Sequence, residues 1–411
     1  MNAVEGAGAA EGADAEGAGA TDGAGSPGGA GAREGGATQP DAPPLGPLLT
    51  LLERAGGVRA SYHGGTLIRH FGDPAAEYRA ATGSAAVFDR SHRARLLVKG
   101  RAPGQMLNGV LTGTLPGAPA AREGEVLAGT ATYHAVLTPK GKMITDLWLL
   151  LLGDQAADGF LLDVPVAGRA GLVEHLRKSL PPRLARVEDV SQRTGMITVA
   201  GPGAADVVSR LALGLRVEVP ELEAMAEGEW RAAGPSAVEG LVVIRTGEVW
   251  PDAYSVVGPA EAVAALWRAS VDAGALPAGL GVWSTLRVEA GRPAFGTDMD
   301  ERTIPVEAGI DARAIDHRKG CYTGQEVIVR IRDRGHVNRH LRRLELGDVP
   351  APAPGTELFA AEGDPAKPVA WITSAVESPR FGGVVALAYV RRGVDAVSVG
   401  GRSVAVEPSP L

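Results

Sequence analysis

The chain has a single cysteine, Cys321, among 411 residues. No intrachain disulfide can form, and the four thiolates of a conventional iron–sulfur cluster are missing. A reducing compartment follows, and the expected location is the cytoplasm. Long apolar runs are lacking as well: the leucine-rich run Leu147 to Leu152 ends at Gly153 and Asp154, far short of the roughly 20 apolar residues a membrane span requires. No membrane association is expected. The N-terminus has neither a basic start nor an apolar core, so no targeting signal is expected there. Aromatic residues make up only 4% of the chain, and none precedes Tyr62. The first 40 residues hold 12 Gly, 12 Ala and six acidic residues against one basic residue, Arg33. Such a stretch buries too little apolar surface to offset its ordering entropy, so residues 1–43 are expected to be a disordered extension. The first 40 residues carry five of the seven net negative charges. The remainder is close to neutral, and the overall charge selects no class of partner.

From residue 44 onward the pattern is one of strands and helices in mixed order. Leu45 to Arg54 has helical spacing, stopped by Gly56 and Gly57. AAVFDRSH and ARLLVKG read as extended. Thr132 to Leu137 leads through the turn TPKG into MITDLWLLLL, the spacing of an antiparallel hairpin. Helices are expected near 168–180, 259–273 and 281–290. Strand pairs alternating with single helices predict an α+β architecture rather than a doubly wound parallel sheet. Beyond residue 337 the texture changes to short β-rich runs separated by Gly and Pro, which suits a small β-barrel over 338–411.

Several constellations carry little weight. VAGPGAAD at 199–206 lacks the third glycine of a dinucleotide fingerprint and reads as a strand-to-helix turn. Asp89, Ser91 and His92 have the residue types of a hydrolytic triad but lie on one short segment, where neighbours on a strand point to opposite faces. His336 and His340 have the spacing of two helical metal ligands, with no third ligand in view, so no metal is expected.

The densest chemistry lies in KGCYTGQE at 319–326. Thr323 and Glu326 fit a capping box, which would place Cys321 just ahead of a helix N-terminus and beside Lys319. Both features favour the thiolate. Between Arg313 and Arg343 there are nine Lys or Arg residues against three acidic ones, a local excess that favours anionic ligands. Only Tyr322 offers an aromatic platform in that stretch, which argues against nucleic acid.

KGCYTGQEV resembles the signature of the YgfZ family of folate-binding proteins, in the superfamily of the glycine-cleavage T-protein, an aminomethyltransferase. AVFDRSHRARLLVKG, GMITVAGPGA and TLRVEAGRPAFGTDMD resemble three further marks of that family, in the same order. The resemblance implies two related α+β subdomains over 44–337, a C-terminal β-barrel and a central site for tetrahydrofolate. It also implies site residues. Tyr133, Asp146 and Arg287 match positions that contact the folate in T-proteins, and Lys319, Cys321 and Tyr322 belong to the YgfZ signature. Glu248 and Ser255 depart from the T-protein pattern, where a tyrosine and a pterin-gripping glutamate are usual, and Thr145 stands where a second acid is common. The leading expectation is therefore a YgfZ-type protein that binds tetrahydrofolate and supports iron–sulfur cluster assembly or repair, with Cys321 as its functional thiol and iron–sulfur client or assembly proteins as partners. The alternative is a T-protein-like aminomethyltransferase that works through Asp146.

Overall fold

The computed structural model describes residues 46–122, 126–233, 240–362 and 367–407. The expected extension over 1–43 lies outside the described residues.

Two sheets face one another at the centre. A five-stranded antiparallel sheet runs in the order Arg186–Asp189, Ala94–Lys99, Phe160–Val164, Met143–Leu151, Thr132–Leu137. An eight-stranded sheet runs Leu276–Ala278, Ala86–Asp89, Thr194–Ala200, Ala253–Pro259, Val242–Thr246, Glu229–Ala233, Val126–Thr130, Ala120–Arg122. Its one parallel pairing joins Leu276–Ala278 to Ala86–Asp89. The α+β class expected from the sequence is what forms. The two sheets interleave along the chain, because the larger recruits strands from before, within and after the segment that builds the smaller one.

Period-two alternation sorts the side chains of both sheets. On the smaller sheet Leu147, Leu149 and Leu151 face outward and pack on Leu172 and Leu176 of the helix Val166–Ser179. On the larger, Ile197, Val199 and Val256 face Val263, Leu266 and Trp267 of the helix Ala260–Asp272. The opposite faces meet in an inter-sheet core that includes Leu97, Leu150, Leu161, Met196, Trp230 and Val257. Each fully buried side chain of this kind contributes roughly 1.5–3 kcal/mol. Capping is local and legible: Asp73 accepts from the N–H groups of Ala75 and Ala76, each at 3.0 Å, ahead of Pro74 at the start of the helix Pro74–Gly83.

The C-terminal region forms a six-stranded antiparallel sheet ordered Arg339–Gly347, Gly383–Arg391, Pro368–Ser378, Glu357–Ala360, Ala396–Val399, Arg402–Ala405. Its hydrogen-bonded order has two ends among the described residues, so the barrel expected there is a sheet that does not close through its ladder. Asp298 ties it to the rest. That carboxylate accepts from Thr373 Oγ1 and Ser374 Oγ on the sheet and from Arg287 Nη1 on the helix Leu280–Glu289, all at 2.6 Å.

Candidate functional site

The hairpin Thr132–Leu137/Met143–Leu151 carries the centre of the site. Tyr133 pairs with Trp148 across the ladder and Ala135 with Asp146, so the alternation that turns leucines outward turns Asp146, Trp148 and Leu150 toward the facing sheet. Tyr133 Oη donates to Asp146 Oδ2 at 2.5 Å. Asp146 Oδ1 is buried and has no hydrogen-bond partner among the described residues. Burial raises the Asp146 pKa above the ordinary carboxylate value, opposed by the Tyr133 hydroxyl and by Arg93.

Two spaces lie near this pair. A mouth of about 360 Å³ is lined by Tyr133, Trp148, Glu227, Arg313 and Asp316, among others. An inner space of about 30 Å³, lined by Asp163, Arg245, Thr246, Glu248 and Ser255 among apolar residues, lies between the sheets. Trp148 and Ala131 line both. The lining of the inner space is mainly apolar, and its charged side chains are paired. Arg93 Nε donates to both carboxylate oxygens of Asp163 at 2.8 Å, and Arg90 Nη2 lies 2.9 Å from Glu248 Oε2. Burial pushes the Glu248 pKa up, but Arg93 and Arg90 outweigh it and hold the carboxyl at about 2. Ser255 shares a hydrogen bond of 2.9 Å with Thr198. The carboxylates of this space thus come from Glu248 and Asp163, not from position 255.

The other sequence-predicted residues divide. Arg287 is engaged with Asp298 and Ser374, so in this structure it braces the C-terminal sheet rather than joining Tyr133 and Asp146. Thr145 faces away from the cavity: a Cβ on Gly168 would lie 2.0 Å from its Oγ1. An acid at position 145 would point at the helix Val166–Ser179. Lys319 Nζ donates to the carbonyls of Asn108, Leu111 and Gly113 at 3.0, 2.7 and 2.8 Å. Burial lowers its pKa to about 8. The cation expected beside the thiol is therefore engaged with backbone, and its role is to pin the 319–324 loop to the rim at Gly113. Tyr322 is buried in the core beneath the hairpin, whereas Cys321 is exposed.

The capping box is corrected. Thr323 Oγ1 donates to Gly109 O at 3.4 Å, Glu326 pairs with Arg330, and the N-cap of the helix Gln325–Arg334 is Gly324 at φ +84°. A Cβ there would lie 2.6 Å from Thr138 O, so the tight approach to the TPKG turn, not a side-chain cap, sets this helix start. The weaker constellations do not become sites. Asp89 Oδ1 accepts from Ser91 N, and Ser91 Oγ is bonded to Met196 backbone. His336 follows the helix end, while His340 lies on a strand.

Sequence reasoning missed Trp148, Asp163, Arg93, Arg90, Glu227 and the placement of Arg313. The strand periodicity held a signal for two of them, since Trp148 shares the face of Asp146 and Asp163 is its partner on the adjacent strand.

A buried carboxylate with one oxygen lacking a partner among the described residues, bonded to Tyr133 between facing antiparallel sheets, marks the centre of an α+β protein. The profile described as GCVT N-terminal domain matches residues 58–319. The aminomethyltransferase of Corynebacterium jeikeium is 31% identical over 342 residues, spanning 79% of this chain and 82% of that protein. That of Rubrobacter xylanophilus is 31% identical over 316 residues, spanning 77% and 78%. The chain belongs to this family, that of the GCVT domain and the aminomethyltransferases. The crystal structure of the glycine cleavage system aminomethyltransferase T from Bartonella henselae shares its fold, with a TM-score of 0.70 at 20% identity over 88% of this chain and 95% of that one. Among the described residues no helix is long and apolar enough to cross a membrane.

Proposed function

We propose that the protein binds tetrahydrofolate in the larger space lined by Tyr133, Trp148 and Arg313 and handles a one-carbon unit there, in the manner of an aminomethyltransferase. The observation that carries this is Asp146 Oδ1, a buried acceptor without a partner among the described residues, beside the Tyr133 and Trp148 rings. A buried carboxylate oxygen left unpaired costs more than about 1–3 kcal/mol, and the N–H groups of a reduced pterin fit the vacant acceptor. Bound tetrahydrofolate supplies the nitrogen that accepts the carbon unit. The chain's own residues position the ligand and move a proton: Tyr133 fixes Asp146 through Oδ2, and the raised pKa of Asp146 suits its ionised Oδ1, accepting from the ligand N–H, to take up that proton. Family membership supports the same reading. Methylenetetrahydrofolate formation from an aminomethyl-lipoyl carrier, lost in Asp146→Asn, is the expected result. Absence of tetrahydrofolate binding at millimolar concentration would refute it.

A second reading is favoured by one observation. Cys321 is exposed on a loop that Lys319 fastens to Gly113 at the mouth. With the resemblance of KGCYTGQE to the YgfZ signature, this supports a tetrahydrofolate-dependent role in iron–sulfur cluster maintenance, with the thiol acting beside the folate. Cys321→Ser would then lower the activity of iron–sulfur enzymes in cells relying on this copy. Unchanged activities would remove the thiol role and leave the first reading in place.

A further inference from the structure

The mouth of the cavity holds a contact that folate binding as proposed above does not use. Arg313, on the short helix Asp311–Ala314 beside the five-stranded sheet, forms an ion pair with Glu227, which precedes the strand Glu229–Ala233 of the eight-stranded sheet. Its guanidinium carbon lies 4.9 Å from the Tyr133 ring centroid and 5.9 Å from that of Trp148. The two rings are themselves 5.3 Å apart. On the far rim Glu227 is held in a tight place, since a Cβ on Gly247 would lie 2.6 Å from its Oε1. Arg292 Nε fixes that rim by donating to Gly247 O at 2.9 Å. The pair therefore links the helix beside the smaller sheet to the start of an interior strand of the larger one, over the aromatic wall, and both side chains are only partly exposed, at 25% and 34%.

We infer that Arg313 and Glu227 form a latch over the mouth that selects ligands carrying a carboxylate beyond their ring. The inference rests on the folate reading and adds a specificity determinant to it. The guanidinium occupies the ring faces, so it has to move before a planar ligand can stack there. Moving it breaks the ion pair with Glu227 and forfeits the cation–π contact. A ligand that is only a ring offers Arg313 nothing in exchange. A ligand whose ring is followed by a carboxylate offers a new anion to a fork of donors suited to bidentate pairing. Asp316, the other carboxylate at the mouth, is bonded to Thr114 and lies close to Arg318, so it repels a tail on its own side and leaves Arg313 as the favoured anchor.

The test is calorimetric and uses the full chain. The probes are tetrahydrofolate with one glutamate and a tailless 6-methyltetrahydropterin, titrated into the wild type, Arg313→Gln and Glu227→Gln. The wild type is expected to bind the tailed ligand at least about tenfold more tightly, and Arg313→Gln to shrink that ratio to within about twofold. Glu227→Gln frees the guanidinium, so both ligands should tighten by about three- to tenfold with the ratio kept. Circular dichroism and melting temperature verify that both variants are folded. An unchanged ratio in Arg313→Gln, equal affinity of the wild type for both probes, or no tightening in Glu227→Gln overturns the latch while folate binding stands. A wild type that binds neither probe overturns the folate reading itself, and the latch with it.

Discussion

Replacing Arg287 with alanine separates a structural role from a ligand-binding one. The guanidinium donates from Nη1 to Asp298 Oδ2 at 2.6 Å and from Nη2 to Ser374 Oγ at 2.9 Å. Asp298 has a fully buried side chain, and that of Arg287 is 10% exposed. After the substitution the carboxylate keeps its hydrogen bonds from Thr373, Ser374 and the Ala294 N–H, but its counter-charge is gone. Breaking a buried pair from one side costs about 3–5 kcal/mol, a large part of the net stability of an ordinary domain. Urea titration followed by intrinsic fluorescence should show the midpoint falling accordingly. The double variant Arg287→Met with Asp298→Asn should recover at least about half of the loss, because no unpaired charge remains buried. Tetrahydrofolate affinity should change little wherever the Arg287→Ala protein is still folded. The reasoning fails if Arg287→Ala stays within about 1 kcal/mol of the wild type while folate affinity falls at least about tenfold. That outcome would return Arg287 to the ligand.

The carboxyl of Glu248 is lowered from 4.5 to about 2, so its contribution is present above pH 4.5 and lost as pH falls through 2. Glu248→Gln should therefore be less stable by about 2–3 kcal/mol near neutrality, a gap that closes in acid melts. Asp146 has the opposite sign: its pKa is raised by burial, and the wild type loses stability as pH rises through that value. Asp146→Asn should melt higher than the wild type at neutral pH, and the difference should vanish below the ordinary carboxylate range; a lower melting temperature at every pH would contradict this. Gly168→Ala places a Cβ 2.0 Å from Thr145 Oγ1 and should destabilise by about 1–3 kcal/mol, relieved in a background carrying Thr145→Ala, as urea titration would report.

Much of this protein is legible along the chain. The hairpin through TPKG, the helices near 168–180 and 259–273, and the α+β class follow from local periodicity and turn chemistry, which act over a few residues. Tyr133 and Asp146 are picked out by the T-protein resemblance, and the hairpin that carries them sets them diagonally across its ladder, where they are bonded. Other expectations failed where a remote segment intervened. Thr323 and Glu326 have the spacing of a capping box, but Gly109 takes the hydroxyl and the TPKG turn requires glycine at 324. Lys319 stands two residues from Cys321, yet three carbonyls from 108–113 hold its ammonium.

The sequence by itself determined which strands alternate, where helices stop and, through its motifs, to which family the chain is akin. Alternation decides which side chains share a face, but not what that face meets. Only the tertiary structure decided that Arg287 braces the C-terminal sheet, that Glu248 and Asp163 supply the charge of the inner cavity, and that Arg313 crosses the mouth to Glu227. Each of these depends on residues 70 to 158 apart in the chain. Such contacts are fixed by how the two sheets pack face to face, and that packing is set by the whole core rather than by any local stretch of residues.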